Sequence, residues 1–130
     1  MRIRAAVVDA IVEHARRDAP LECCGLLIGR DGEVLESHPA RNVRHSAVSY
    51  LIAPEDHFAA LKAARAAGRD VLGAYHSHPR SAALPSPTDI REAADPGFLY
   101  VIVSLSRSKA EVAGFLIRDG VAIEVVLEHA

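Results

Sequence analysis

The chain has 130 residues, the size of one domain built around one core, and it is read as a single domain over residues 1–130. A net charge of -2 gives no electrostatic argument for nucleic acid or an anionic membrane as principal ligand. No apolar run approaches the ~20 residues that span a bilayer, so the expectation is no nucleic acid and no membrane.

The two cysteines, Cys23 and Cys24, are adjacent and make a poor disulfide pair, which points to a reducing, cytoplasmic setting. The opening MRIRAAVVDAIVEHARRD has acidic residues inside it and reads as a structured helix, not a leader peptide. Val7, Val8, Ile11, Val12 and Ala15 recur at helical spacing over residues 5–18, and Pro20 limits how far that helix can run. CCGLLIGRDGEVLES then predicts two strands around a turn at Asp31-Gly32. SYLIA (49–53) predicts another short strand. Pro54, followed by Glu55 and Asp56, opens a helix, with proline at its first position and acids near the positive dipole end. That helix runs through FAALKAARAA and stops at Gly68.

DVLGAYHSH (70–78) predicts a buried strand whose end carries two histidines. Ser86 to Ala94 predicts a short helix. Three strands follow, FLYVIVSL, AEVAGFLI and VAIEVVL, with a turn at Asp119-Gly120 and the spacing of an antiparallel meander. The chain shows no internal repeat or low-complexity tract. Helices mixed with strands define an α/β class, a mixed β-sheet flanked by helices.

His76 and His78 project from the same face of their strand, while Ser77 turns away. Two ligands of one metal ion need that geometry. A lone H-x-H is better explained by one exposed ring and one satisfied by a backbone carbonyl. Ser86-Pro87-Thr88-Asp89 adds a second ambiguity. It is a good helix start, with Ser86 as N-cap and Asp89 completing a capping box. Alternatively, the Asp89 carboxylate joins the histidines on a metal and the Ser86 hydroxyl points into the site. The two readings compete for the same atoms.

Two histidines and an aspartate form a three-ligand set that zinc accepts, with the fourth position left for water, as in catalytic sites. A general base outside the ligand set is still needed. Glu22, in APLECCGLLIG just before an apolar strand, is the candidate, although position alone favours a solvated glutamate. Glu33, Glu36, Glu55 and Glu92 have no comparable context. No H-E-x-x-H helix, deaminase-type H-x-E with C-x-x-C, or glycine-rich phosphate loop is present. His14, His38, His45, His57 and His129 are scattered and read as surface residues.

The pattern His76-x-His78, seven residues, Ser86, two residues, Asp89 resembles the H-x-H-x7-S-x2-D signature of JAMM (MPN+) zinc metalloproteases. The stretch P-x-E-x-C-G-L-x-x-G around Glu22 is similar to that family's glutamate segment. The resemblance implies a helix-flanked mixed sheet related to cytidine deaminases, holding one zinc per chain through His76, His78 and Asp89. It makes Glu22 the general acid/base and Ser86 the hydroxyl that steadies the oxyanion. A chain of this length leaves little room for the ubiquitin-gripping insertions of eukaryotic relatives, and it resembles the compact, stand-alone prokaryotic branch. That branch is associated with small ubiquitin-like or sulfur-carrier proteins ending in Gly-Gly, from which it removes extra residues, a linked amino acid or a conjugated protein. The implied activity is a zinc-dependent peptidase or isopeptidase with such a carrier as partner; a homodimer is compatible with the sequence. Two alternatives stand beside it. One is a non-catalytic MPN-type protein-binding module, against which the retention of all five motif residues argues. The other is a hydrolase of an unrelated small amide.

Overall fold

The computed structural model describes residues 1–130. In chain order the elements are β1 (Arg2–Ile3), α1 (Ala5–Asp18), β2 (Cys24–Arg30), β3 (Glu33–Ala40), α2 (Pro54–Ala66) and β4 (Asp70–His78). They continue with α3 (Pro87–Glu92), β5 (Leu99–Ser104), β6 (Glu111–Arg118), β7 (Val121–Val125) and β8 (Glu128–His129). The fold class is the expected α/β, with one mixed sheet of order β7-β6-β5-β4-β2-β3-β1-β8. No helix is long and apolar enough to cross a membrane.

Both hairpin turns form where the sequence places them. Asp31 and Gly32 have φ of 52° and 77°, and Asp119 and Gly120 have 52° and 75°. Two consecutive positive φ values are the type I′ requirement, and they match the right-handed twist of the flanking strands. β5, β6 and β7 form the antiparallel meander, whereas β4 and β5 run parallel. The crossover between those two carries α3.

Two short strands were not anticipated. β1 lies between β3 and β8 and is parallel to both. β7 and β8 sit at opposite ends of the sheet order, yet only Val126 and Leu127 separate them in sequence. Three peptide steps reach about 10 Å at most, so the sheet has to curl until its two edges approach. A two-residue strand has too few side chains to show a period of two, which is why neither β1 nor β8 is legible in composition.

Strand alternation divides the core between the two faces of the sheet. On one face Val7, Ile11 and Ala15 of α1 pack with Leu27, Tyr75 and Val101. On the other, Ala60 and Ala64 of α2 pack with Leu26, Ile28, Ala74 and Ile102. His76 and His78 continue the Ala74 row, so they emerge on the α2 side.

Three sequence expectations need correction. SYLIA is not a strand: only Ile52 makes an isolated bridge, to Asn42. The carbonyl of Ser49 and the amide of Leu51 are instead bonded to the Asn42 side chain, which removes groups a ladder would need. The third helix ends at Glu92, not Ala94, because Ala93 is already extended and Asp95 precedes Pro96, a position that disfavours helix. His14 is buried, not on the surface. It continues the core face of α1, and its ring nitrogens are satisfied by the Tyr75 hydroxyl at 2.8 Å and the Asp18 carboxylate at 3.2 Å.

Candidate metal centre

The last residues of β4 bring His76 and His78 onto one face, both buried. Ser77 points to the other face, where its Oγ accepts a hydrogen bond from the Cys23 amide at 2.8 Å. The chain then turns back through the loop 79–86, and α3 places Asp89 over the two rings. The Nε2 atoms of His76 and His78 are 3.1 Å apart, and each is 3.1 Å from Asp89 Oδ2. Three donors held tetrahedrally at zinc–ligand bond lengths would lie about 3.3 Å from one another. The triangle therefore fits a zinc ion, and these three residues are the group able to hold a metal.

The surroundings favour that use. His78 Nδ1 meets the Ala82 carbonyl at 2.8 Å, which holds the proton on Nδ1 and turns the Nε2 lone pair toward the centre. The Tyr50 ring stacks on His76 at 4.2 Å and 19°, closing that side of the ring to water. Burial disfavours ionisation of Asp89, but hydrogen bonds from His76 and His78 outweigh it and hold its carboxyl well below the usual carboxylate range. Burial lowers the His76 pKa, with Asp89 opposing. For His78 burial pulls the same way, but the Asp89 hydrogen bond prevails and the net direction is up.

The capping box forms, and it leaves the Asp89 carboxylate facing the two histidines. Ser86 is the N-cap of α3, its Oγ accepting from the Asp89 amide at 3.0 Å, while Asp89 Oδ2 accepts from the Ser86 amide at 2.9 Å. The same Oδ2 faces the histidines. Acting as a cap uses only a lone pair of the Ser86 hydroxyl, so its proton stays free to donate.

Glu22 reaches the site by strand register. In the antiparallel β2–β4 ladder Cys24 is opposite His76, and Ser77 N donates to Cys23 O at 3.1 Å. One step further along that register Glu22 comes level with His78 and shares its face. Glu22 is not the solvated residue its position allowed: it is 4% exposed, and its Oε1 is buried without a protein partner. Burial raises its pKa to about 7, with His78 opposing and Asp89 reinforcing the shift.

A cavity of about 550 Å³ opens beside Asp89. Leu26, Tyr50, Leu51, Ile52, Phe98 and Tyr100 form its apolar walls, and Glu92 and Asp95 also line it. Sequence reasoning missed Tyr50, which was read as part of a strand, and Asn42, which organises the loop carrying it. Asn42 follows the last residue of β3 by two positions, a place where an asparagine commonly builds a turn. Cys23 and Cys24 are both free and buried; burial pushes their thiols up to about 11 and about 12, so neither is a thiolate at neutral pH.

A curled mixed sheet, with two histidines at the end of a central strand facing an aspartate on the following helix, defines a class. Residues 4–120 match the family described as prokaryotic homologs of the JAB domain, and the chain belongs to that family. Among its relatives is a desampylase of Haloferax volcanii, 40% identical over 111 residues that cover 80% of each chain. A CysO-cysteine peptidase of Mycobacterium tuberculosis is 37% identical over 125 residues, 94% of this chain and 86% of that protein. A solution structure of a protein from Desulfitobacterium hafniense superposes with a TM-score of 0.89 at 34% identity, covering 99% of this chain and 93% of the other.

Proposed function

We propose that this chain is a zinc-dependent peptidase or isopeptidase that cuts after the C-terminal Gly-Gly of a small ubiquitin-like or sulfur-carrier protein. It would hold one zinc through His76, His78 and Asp89. The observation that carries the reading is the 3.1 Å triangle of His76, His78 and Asp89 beside a buried carboxylate with an unpartnered oxygen. Support for the substrate class comes from relatives named desampylase and CysO-cysteine peptidase.

Zinc, when bound here, supplies an acidified water ligand and a Lewis acid that polarises the scissile carbonyl. The remaining work belongs to side chains. Glu22, with a pKa near 7, takes up a proton at its carboxylate and returns it to the leaving amine, the two halves of general acid–base catalysis. Ser86 donates its hydroxyl proton to the carbonyl oxygen as negative charge develops there. Asp89, held ionised, stays a ligand and leaves the proton traffic to Glu22.

An extended tail can be gripped through its backbone, and the apolar cavity beside Asp89 offers room for one. Glycines at the cut let the main chain approach the centre with no Cβ to clash. The test is cleavage of a β-grasp carrier extended beyond Gly-Gly. Release of the extension is expected, and replacing the last glycine by valine should abolish it while zinc content is unchanged. Equal cleavage of both versions, or of neither, would remove the Gly-Gly assignment.

A further inference from the structure

The segment between β3 and α2 folds into a closed loop. Val43 N donates to Leu51 O at 2.9 Å and Ala53 N to Arg41 O at 3.0 Å, pinning its ends together. Inside it the Asn42 side chain makes four hydrogen bonds. Its Oδ1 accepts from the amides of Arg44 and Leu51 at 3.1 and 3.0 Å, and its Nδ2 donates to the carbonyls of Ser49 and Glu22 at 3.2 Å or less. Two carbonyls on one side and two amides on the other determine which end of the amide is which.

The contact with Glu22 is the one that leaves the loop. Glu22 also donates its own amide to Ser46 O at 2.8 Å. Both backbone polar groups of Glu22 are therefore bonded to this one loop, while β2 does not begin until Cys24. Pairing with β4 begins only at the next residue, Cys23, which is bonded to Ser77. We infer that Asn42 is the positioning residue of Glu22: by shaping the loop and holding the Glu22 carbonyl, it sets where the carboxylate stands relative to His76, His78 and Asp89. This rests on the role proposed for Glu22. A buried carboxylate with an unpartnered oxygen has no side-chain hydrogen bond to locate it, so its aim depends on the backbone from which it springs.

The experiment uses the full chain in two arms. In the first, on zinc-loaded protein with a Gly-Gly-extended carrier, Asn42→Ala should lower kcat by roughly 10²-fold, the scale of a ~1 Å misplacement, with KM and zinc content unchanged. Asn42→Asp, which cannot donate to either carbonyl, should be no better. In a Glu22→Ala background Asn42→Ala should cost nothing further. Arg44→Ala, which cuts only the loop's ion pair to Glu92, should stay within about threefold of wild type, since exposed pairs contribute little. The second arm is hydrogen exchange on zinc-free protein. There Asn42→Ala should loosen the loop that carries Ser46, the acceptor of the Glu22 amide, and speed exchange of that amide by about tenfold, while β4 amides stay protected. Unchanged kcat with unchanged Glu22 exchange overturns the inference. So does a loss of zinc, or an undiminished penalty on top of Glu22→Ala, either of which puts the loop's effect elsewhere. If wild type cleaves no carrier, the substrate reading fails and the exchange arm alone decides.

Discussion

Glu22 and Asp89 are two carboxylates whose environments push them in opposite directions. Burial without a partner lifts Glu22 to about 7, while the two histidines hold Asp89 ionised. That separation suits the proposed roles of proton carrier for Glu22 and ligand for Asp89. In metal-free protein Glu22 should therefore ionise as pH rises through the neutral range. That ionisation costs stability. A carboxyl with a raised folded-state pKa stabilises the fold below its unfolded value and loses that contribution as pH climbs through about 7. Metal-free Glu22→Gln should then unfold at a higher temperature than wild type at pH 8, with the gap closing toward pH 5. Thermal melts at the two values check it, and an equal gap at both would show that Glu22 is not buried as described. In zinc-loaded protein Glu22→Ala should retain its metal and lose nearly all turnover, read by metal analysis beside a cleavage assay.

At the scale of elements, α3 works as a bracket. Its six residues form fewer than two turns, and Ser86 and Asp89 close its start from both directions. Asp89→Ala should remove both the ligand and half of the box, so zinc should fall to background along with a stability loss of ~0.5–2 kcal/mol. Ser86→Ala should keep zinc, lose a similar amount of stability, and lose about 10²–10³ in rate if its proton meets the oxyanion. Full zinc retention in Asp89→Ala would reduce the aspartate to a cap. α1 has the complementary task. Ile11, fully buried among Val7, Ala15 and the strand residues below, anchors the helix that delivers Glu22. Ile11→Ala should cost about 2–5 kcal/mol, measured by denaturant unfolding, with zinc stoichiometry kept in the fraction that remains folded.

For the molecule as a whole, the ligands come from one end of β4 and from α3, separated by a loop, so the metal would tie the crossover to the sheet. A ligand that binds the folded state alone stabilises it by mass action, by ~2.7 kcal/mol at a hundred times its dissociation constant. A chelator should accordingly lower the melting temperature of wild type, while His78→Ala should melt at one temperature with or without it. An equal response in both proteins would place the zinc elsewhere.

Most of the fold was readable because periodicity reports burial. The strand DVLGAYHSH, the α1 face and both Asp-Gly turns follow from local rules that need no partner. The convergence of the three side chains was readable in part for the same reason: His76 and His78 share a face by alternation, and Ser86 to Asp89 spans one helical turn. Three things were decided by the tertiary structure. The β2–β4 register brings Glu22 level with His78 across more than fifty residues, a pairing set by which strands meet and not by any local signal. The curl of the sheet unites β1 with β8, strands too short to have a period. And the segment 49–53, apolar enough to read as a strand, becomes a loop because the side chain of Asn42 takes the backbone groups that a ladder would use. Local sequence determines which face a residue occupies; only the assembled sheet determines what that face meets.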